Sequence, residues 1–466
     1  MSLYSTIDKH ILLPIADVVT SRGVSKEWKL MSKAEHFSEA QLLELQNQRL
    51  QALINHCYAH VPYYKSLFDS LGLKPEDIKT RDDLKKLPVL TKQMVREHYD
   101  ELIADNISEY KAQNGSTGGS TGTPLKFKKD VQTWNMAWAS SFRAWEWYGY
   151  HLGEKMFTLG GNSLVKKTRG VSAKDIFDKV IMRNLKRSSG DVSDEAMQGH
   201  YEAFMQYKPV AMRGYASSMV IFARYIEKNN LPVKPLKVIL TTGEILMPEY
   251  REVLERVFQC KVYDEYGAGD GGVDAHECLL QQGLHLSEER CVVEITDKEG
   301  NVLPDGQTGF VCATDLGNYA FPFLRYHVGD MAYIKPGKCA CGRVSHVLGQ
   351  VMGRAGKLLY NKQGVPLSPT MLPFMLYPDM DYHNPSSIEV YNKIDRFQFR
   401  QDKDGNIRVL LKLKDQHEQL SLFDYVVANC KSHFVDSDVV VEIVDDIPTL
   451  PSGKEDYCVS EYEYHN

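Results

Sequence analysis

The sequence predicts an α/β chain with a large N-terminal region and a smaller C-terminal domain. Strand and helix patterns alternate between residues 207 and 266, which is typical of parallel strands joined by right-handed crossovers. After about residue 350 the predicted strands become shorter and more polar. At 466 residues the chain is also longer than one hydrophobic core usually supports, so more than one domain is expected.

The individual elements follow from local patterns. Leucines spaced along one face predict a helix over residues 37–60. Compact apolar runs predict strands at residues 210–212, 238–240, 262–266, 407–413 and 439–444. Apolar residues at helical spacing follow the first two of these strands, with Ser217 or Ser218 expected as one N-cap and Pro248 opening the other helix.

The composition excludes several classes of protein. With 43% apolar and 25% charged residues the chain is globular rather than disordered, and its formal net charge of −6 argues against a basic nucleic-acid surface. No run approaches the ~20 apolar residues of a membrane span. Residues 11–19 contain Pro14 and Asp17 and lack a signal-peptide pattern, so we interpret them as a core helix or packed arm. A cytoplasmic location is expected.

The nine cysteines are an odd number at low density, which favours a reducing compartment over a disulfide framework. Six of them are scattered and are expected to be small buried apolar residues. These are Cys57, Cys260, Cys291, Cys312, Cys430 and Cys458. The remaining three are candidate metal ligands.

A segment rich in glycine and hydroxyl residues spans residues 115–124. Glycines allow backbone N–H groups to converge on one anion, and hydroxyls add donors, which suits the phosphates of a nucleotide. The segment is not a Walker A loop, because no Gly-Lys-Ser/Thr closes it, and the alternation of Leu125 and Phe127 with lysines predicts a strand after Pro124. A flexible surface linker is the alternative interpretation.

Two loops follow predicted parallel strands at their carboxyl ends, where such sheets bind ligands: residues 241–244 and 267–272. The second loop matches the dinucleotide fingerprint G-x-G-x-x-G, and Glu288 stands where that fold places its ribose-binding acid. A NAD-dependent oxidoreductase is therefore a competing hypothesis. Asp270 weakens it, because its carboxylate would approach a pyrophosphate.

The order of the motifs is more specific than any one of them. They are residues 115–124, Thr241-Thr242-Gly243-Glu244, Tyr266-Gly267-Ala268-Gly269-Asp270, Arg325-Tyr326-His327-Val328-Gly329-Asp330, Gly353-Arg354 and Pro451-Ser452-Gly453-Lys454. In this order the chain resembles the adenylate-forming (AMP-binding) enzymes. Within them it resembles the phenylacetate–CoA ligase family and its capsular-polysaccharide (CapK-like) branch, over residues from about 45 to 460.

The resemblance implies the adenylate-forming enzyme fold. Two glycines beside charges at residues 353–357 indicate a domain boundary there, as a hinge or a simple turn. The resemblance implies a hinge, with a nucleotide- and substrate-binding region over residues 1–352 and a small mobile α+β lid over 358–466. It also implies an AMP-forming ligase that uses ATP and Mg²⁺ to activate a carboxylic acid as an acyl-adenylate, for transfer to CoA or an amine. A role in capsule or surface polysaccharide biosynthesis belongs to the same hypothesis. Positioning and charge neutralisation would lower the barrier.

The resemblance also implies which residues bind the nucleotide. The β- and γ-phosphates would be held by Ser116, Thr117, Gly118, Gly119, Ser120, Thr121 and Gly122. Thr242, Gly243 and Glu244 would lie beside the adenine. Tyr266 would stack on the adenine, with Gly267 next to the nucleotide.

Further implied roles concern the ribose, the reacting groups and the acid. Asp330 would accept hydrogen bonds from both ribose hydroxyls, since one carboxylate offers two oxygens. Arg354 would contact the nucleotide and mark the hinge, and Lys454 would neutralise the transferring phosphoryl group. Tyr215, in a loop after a strand, is the candidate for the substrate pocket. The aromatic-rich stretch from Trp134 to Tyr150 is expected to be core rather than pocket.

The chain departs from the family pattern Tyr-Gly-x-Thr-Glu. Gly269 replaces the threonine whose hydroxyl would reach the α-phosphate, and Asp270 replaces the glutamate on the magnesium side, with a carboxylate that still suits Mg²⁺. In the hinge, Gly356 fills the slot of the usual acid, and Lys357 follows. The loss of the threonine supports a second hypothesis, a nucleotide-binding relative of weak or no activity that acts as an assembly factor, whereas the presence of Asp330 and Lys454 counts against it.

Three cysteines and a histidine form a candidate structural zinc site: Cys278, His285, Cys339 and Cys341. This donor set is one of the closed tetrahedral sets of zinc, and the family shows a similar Cys-x₆-His followed by Cys-x-Cys-Gly-Arg. His276 is the rival nitrogen ligand, and four unrelated residues are the simplest alternative. We expect no nucleic-acid partner and no membrane span, while association into oligomers is compatible with the sequence.

Overall fold

The computed structural model describes residues 2–116, 125–160, 177–188, 194–354, 359–362, 366–367, 372–380, 384–415, 420–448 and 456–462. The chain divides into two units, residues 1–243 with 254–351, and residues 244–253 with 352–466. One division therefore falls within the helix Pro248–Phe258. The predicted hinge at 353–357 stays a prediction.

The first unit is built on a mixed sheet. The strands of the whole unit, including those outside this sheet, are β1 (Gln113–Ser116), β2 (Lys126–Lys129), β3 (Met156–Gly160), β4 (Asn184–Ser188), β5 (Ala211–Gly214), β6 (Val238–Thr242), β7 (Lys261–Ala268), β8 (Val273–Glu277), β9 (Leu284–Leu286), β10 (Cys291–Thr296), β11 (Gly309–Asp315), β12 (Tyr326–Ala332) and β13 (Val347–Leu348). The main sheet has the order β13-β9-β8-β7-β6-β5-β3-β4. Its pairings from β4 to β7 are parallel, as predicted, whereas β8, β9 and β13 extend it antiparallel.

Two smaller strand groups complete the first unit. Strands β10, β11 and β12 pair antiparallel, and β1 pairs antiparallel with β2. The predicted strand after Pro124 is therefore present as β2, in which Phe127 is buried and Lys126 is exposed.

Helices cover the sheets of the first unit. The α-helices are Leu3–Ile7, Leu13–Thr20, Val24–Ala34, Glu39–His60, Pro62–Ser70, Lys92–Glu97, Val131–Trp147, Asp194–Tyr207 and Ala216–Lys228. Shorter 3₁₀ segments occur at Pro75–Asp77, Arg81–Lys86 and Ile107–Tyr110, and π-helical turns at Asp8–Leu12 and Phe177–Ile181. The predicted helix over 37–60 begins at Glu39 because Ser38 and Gln41 form a capping box there.

One local expectation was wrong. The helix Ala216–Lys228 has Tyr215 as its N-cap residue, and Ser217 and Ser218 lie buried in its first turn. The chain enters the helix directly from β5, so the helix begins before either serine could cap it. Residues 11–19 are helical and pack against the core by one face, as expected of a packed arm, since Leu13 is completely buried in a core cluster while Val18 is 80% exposed.

The aromatic stretch is core, as expected. Phe142, Trp145 and Tyr150 are almost completely buried beside the main sheet, in one cluster with residues of β3, β5 and β6. Five of the six scattered cysteines are also buried, and Cys260 is half-buried. Within the described residues, no helix combines the length and apolar character needed to cross a bilayer.

The second unit contains a separate sheet and core. Its strands are β14 (Gly353–Arg354), β15 (Leu359–Tyr360), β16 (Pro366–Leu367), β17 (Ile394–Gln401), β18 (Ile407–Leu413), β19 (Val439–Ile443) and β20 (Cys458–Ser460), with α-helices Pro385–Tyr391 and Asp424–Lys431 and 3₁₀ turns Pro373–Leu376 and Leu420–Phe423. The sheet order is β19-β18-β17-β20. Phe399, Leu411 and Phe423 lie in its core.

Candidate nucleotide site and metal centre

Three predicted site segments lie at the carboxyl ends of neighbouring parallel strands. Tyr215 follows β5, Thr242 ends β6 with Gly243 after it, and Asp270 comes two residues after β7. Strand β5 pairs with β6 and β6 with β7 in parallel, so these ends meet at one edge of the sheet. Tyr215 itself is 1% exposed, and its role in binding a substrate stays a prediction.

At two positions on this edge the local backbone geometry requires glycine. A Cβ atom on Gly214 would lie 1.9 Å from the carbonyl oxygen of Leu159 in β3, so no larger residue fits at the end of β5. Gly243 has φ +77°, a left-handed conformation that L side chains rarely adopt. The chain can therefore turn away sharply after both strands.

Two tyrosine–carboxylate hydrogen bonds cross between β7 and β12. The hydroxyl of Tyr266 in β7 donates to Oδ2 of Asp330 in β12 over 2.8 Å. In the other direction, the hydroxyl of Tyr326 in β12 donates to Oδ2 of Asp270, just after β7, over 3.0 Å. The bonded residues are 64 positions apart in the first pair and 56 in the second, so the bonds join two separate sequence motifs. They also orient both carboxylates.

Sequence analysis assigned Tyr266 and Asp330 to the nucleotide but gave Tyr326 no role. Tyr326 is completely buried, and its ring stacks on Phe323 with a centroid distance of 4.4 Å. A polar hydroxyl in such a core needs a partner, which Asp270 supplies. The sequence alternation of Tyr326 and Val328 with His327 and Gly329 is the signal that could have placed Tyr326 on a buried face.

The arginine of the same motif is structural. Arg325 is 2% exposed and has φ +51°. Its guanidinium donates to a Glu294 carboxylate oxygen over 2.9 Å and to the carbonyl oxygens of Leu87 and Gly300 over 2.7 and 2.9 Å. It therefore fixes the start of β12, and with it the position of Asp330 along that strand.

Several other predicted site residues lie elsewhere or outside the described part of the chain. Ser116 ends β1 and is exposed. Residues 117–122 and Lys454 lie outside the described residues. Glu244 is grouped with the second unit, where the backbone of Arg354 forms β14. Gly267 lies in β7 and is exposed. The roles of these residues stay predictions.

The dinucleotide hypothesis is wrong. The fingerprint requires a helix after the glycine loop, but residues 269–272 turn directly into β8, which pairs antiparallel with β7. Glu288, the ribose-binding acid of that hypothesis, also has other hydrogen-bond partners. Glu288 is buried and accepts from Arg81 over 3.2 Å and from the backbone N–H of His346 over 3.2 Å.

The four predicted metal ligands come together. One ligand atom from each of Cys278, His285, Cys339 and Cys341 lies within 4.8 Å of the others. Sγ of Cys278 is 3.8 Å from Sγ of Cys339, and Sγ of Cys341 is 3.3 Å from Nε2 of His285. Separations of this size are those of donors around a common centre, so the residues fit a tetrahedral Zn²⁺.

Neighbouring elements hold this Cys/His cluster in place. Cys278 follows β8, and His285 lies in β9, where its Nδ1 is 3.1 Å from the hydroxyl oxygen of Ser345. Such a partner on the second nitrogen orients Nε2 toward the cluster. The two cysteines at 339 and 341 lie in a turn closed by the N–H of Gly342 donating to the carbonyl of Cys339 over 3.2 Å.

His276 does not belong to the cluster. It is buried, its Nε2 lies 3.2 Å from the hydroxyl oxygen of Ser140, and its Nδ1 lies 3.8 Å from a carboxylate oxygen of Glu265. Burial lowers its pKa to about 4, so its ring is neutral near pH 7. The rival assignment of the nitrogen ligand is therefore wrong for this geometry.

Known proteins share both sequence and fold with the chain. No protein-family model matches it. The phenylacetate–coenzyme A ligase of Pseudomonas putida is 27% identical over 352 residues, covering 74% of this chain and 77% of that protein. That of Thermus thermophilus is 25% identical over 351 residues, covering 73% and 76%. Protein CapK of Staphylococcus aureus is 23% identical over 425 residues, covering 90% and 89%.

Solved structures agree in fold. The crystal structure of 2-hydroxyisobutyryl-CoA ligase in the postadenylation state, in complex with 2-HIB-AMP, matches with a TM-score of 0.71 and 17% identity, covering 92% of this chain and 91% of that chain. An open conformation of the same ligase, with 2-HIB-AMP and CoA, matches with a TM-score of 0.59 and 18% identity, covering 90% and 91%. The chain therefore has the fold of the adenylate-forming CoA ligases, and its sequence relatives support the predicted resemblance to the phenylacetate–CoA ligase family.

Proposed function

We propose that the protein is an AMP-forming ligase that activates a carboxylic acid with ATP and transfers the acyl group to CoA. The crossed hydrogen bonds between Tyr266 and Asp330 and between Tyr326 and Asp270 carry this proposal. They place two carboxylates of separate motifs beside the strand ends where a parallel sheet binds its ligand. The phenylacetate–CoA ligases among the sequence relatives supply the reaction class.

In this proposal each carboxylate has a separate task. Asp330 is half-buried and receives a hydrogen bond from Tyr266 on one oxygen, which orients its carboxylate toward the two ribose hydroxyls of ATP. Asp270 is 9% exposed, and Tyr326 orients it. Its oxygens are of the type that Mg²⁺ prefers. When bound there, Mg²⁺ would neutralise phosphate charge.

The remaining roles are proposed from the family resemblance. Residues 116–122 would hold the β- and γ-phosphates, and Thr242 to Glu244 would border the adenine. Tyr215 would line the acid pocket. Arg354 and Lys454 would reach the nucleotide from a lid that moves about the hinge at 353–357. An acyl-adenylate formed in this way is a mixed anhydride, which a thiol or an amine can attack.

We also propose a structural role for the Cys/His cluster of Cys278, His285, Cys339 and Cys341. The four donors would fill a tetrahedral Zn²⁺ and leave no open position for catalysis. A bound ion would tie the loop after β8 to the turn that precedes β13. It would thereby hold the antiparallel edge of the main sheet, next to β7 and Asp270.

A second candidate function is a nucleotide-binding assembly factor of weak or no ligase activity. Gly269 favours it, because the family's threonine and its hydroxyl are missing there. The match to Protein CapK, which covers 90% of this chain, supports the CapK-like branch of the resemblance, and from that resemblance we propose a place in capsule or surface polysaccharide biosynthesis under either function.

ATP–pyrophosphate exchange across a panel of aromatic, aliphatic and hydroxy acids tests the proposal. We expect exchange that depends on one class of acid, and AMP release when CoA is added. If ATP binds but no acid supports exchange, the assembly-factor function is favoured instead. If purified protein binds neither ATP nor AMP, both functions are wrong.

Replacing Asp330 by alanine is expected to weaken ATP binding. The change removes the acceptor of both ribose hydroxyls and leaves the Tyr266 hydroxyl without its carboxylate. Loss of charge-assisted hydrogen bonds costs about 1–3 kcal/mol, which corresponds to roughly a 5- to 150-fold rise in the ATP dissociation constant. Calorimetric titration of folded protein measures it.

The matched control is Asp100→Ala, which removes an exposed carboxylate outside the motifs. Its ATP affinity should equal that of the wild type. Wild-type ATP affinity in a folded Asp330→Ala variant would contradict the ribose-binding role of Asp330.

A further inference from the structure

We propose that Lys129 is a nucleotide-binding residue whose ammonium group contacts the α-phosphate, beside the place where Gly269 leaves no side chain. The inference deepens the proposed ATP-dependent function and rests on it. Nothing in the sequence pattern of β2 singles this lysine out, because it lies among four residues of which three are lysines.

The juxtaposition of Gly269 and Lys129 carries the inference. A Cβ atom built on Gly269 would lie 3.1 Å from Nζ of Lys129, and no other atom of the described residues lies within 4 Å of it, apart from Gly269 and its chain neighbours. Gly269 does not adopt positive φ, so the backbone does not require glycine at this position. The missing side chain therefore leaves space that the lysine ammonium borders. Gly269 is exposed, so this space is open to a ligand.

The ammonium group of Lys129 lacks a direct partner among the described residues. Its Nζ makes no hydrogen bond and no ion pair with them, and it lies 5.4 Å from the centre of the Phe127 ring. By contrast, Nζ of the neighbouring Lys128 donates to the Asn114 side chain over 2.7 Å. Lys129 is half-buried, so its charge is partly removed from water without a matched anion in contact.

The nearby carboxylates are already bound by other groups. Asp315 accepts from the hydroxyl of Thr133 and, over 2.9 Å, from the N–H of Gly317, and Asp270 accepts from Tyr326. Both carboxylates attract the Lys129 ammonium, but burial, which is the largest effect, and the guanidinium of Arg290 lower the pKa of Lys129. A phosphate group would add the contact that these carboxylates do not make.

The chemistry of the group matches the position. An ammonium offers three donors and a full positive charge on a flexible stem, which suits the non-bridging oxygens of a phosphate. A threonine at residue 269 would present one neutral hydroxyl from the opposite side of the same space. Because Gly269 directly precedes Asp270, a phosphate bound by Lys129 lies next to the proposed magnesium ligand.

Calorimetric binding of AMP and adenosine tests the contact without knowledge of the carboxylic acid. AMP carries only the α-phosphate, and adenosine carries none. We expect Lys129→Ala to weaken AMP binding about tenfold to a hundredfold, the range for a charge-assisted hydrogen bond, and to leave adenosine binding unchanged. The matched control is Lys128→Ala, which removes the neighbouring ammonium and should bind AMP like the wild type.

A double variant separates a phosphate contact from a purely structural charge. In Lys129→Ala/Gly269→Thr the added side chain no longer meets the lysine, and its hydroxyl can reach the same phosphate, so AMP affinity should recover by at least about half of the loss on a logarithmic scale. The recovery is measured relative to Lys129→Ala, because Gly269→Thr alone retains the ammonium group and has no lost contact to recover.

The outcomes distinguish the inference from the function on which it rests. If the wild type binds AMP but Lys129→Ala binds it equally well, or loses adenosine and AMP binding alike, the phosphate contact is wrong. Failure of the double variant to recover AMP affinity, with a wild-type melting temperature, also contradicts it. If the wild type binds neither AMP nor ATP, the proposed function itself is wrong.

Discussion

Lys454→Ala is expected to abolish most acyl-adenylate formation while leaving ATP binding nearly unchanged. If this lysine acts only on the charge of the transferring phosphoryl group, its removal affects the transition state and not the ground state. Loss of one such contact costs about 3–4 kcal/mol by analogy with oxyanion donors, or roughly 10²–10³ in rate. ATP–pyrophosphate exchange with the best acid measures the rate, and calorimetry measures ATP binding.

The matched control is Lys403→Ala, which removes an exposed lysine from a turn of the second unit. It should exchange pyrophosphate at the wild-type rate. An unchanged exchange rate in Lys454→Ala would rule out the adenylation role. An equal loss of ATP affinity and exchange rate would instead indicate a binding role for Lys454.

Removing the metal from the Cys/His cluster is expected to destabilise the protein strongly. Purified wild-type protein should contain one equivalent of zinc, and Cys339→Ser should contain far less. Without the ion, the thiols and the imidazole lose the interaction that joins two loops, and the free energy of unfolding should fall by about 4 kcal/mol or more, as is typical when a structural metal is lost. Elemental analysis and chemical denaturation give both values.

Cys260→Ser serves as the matched control, because Cys260 is half-buried like Cys339 but lies outside the cluster. It should retain zinc and most of its stability. Zinc well below one equivalent in chelator-washed wild-type protein, together with unchanged stability of Cys339→Ser, would show that the cluster holds no structural ion.

The sequence predicted the elements whose patterns are local. Apolar spacing predicted the helix that begins at Glu39, and short apolar runs predicted β5, β6 and β7 and their parallel pairing. It failed where a neighbouring element changed the local outcome, as at Tyr215, which takes the cap position expected of a serine because the helix follows β5 directly. It also gave no indication that β8 and β9 would extend the sheet antiparallel.

The sequence by itself determined the α/β class, the order of the motifs and the candidate residues for the nucleotide site and the metal centre. These depend on residue type and short-range spacing, which can be read directly from the sequence. Only the tertiary structure decided that Tyr326 meets Asp270, that Lys129 lies beside Gly269, and that Cys278 reaches Cys339. The physical reason is that strand register and loop packing between distant segments depend on the burial of the whole core, and no local pattern encodes which side chains then face each other.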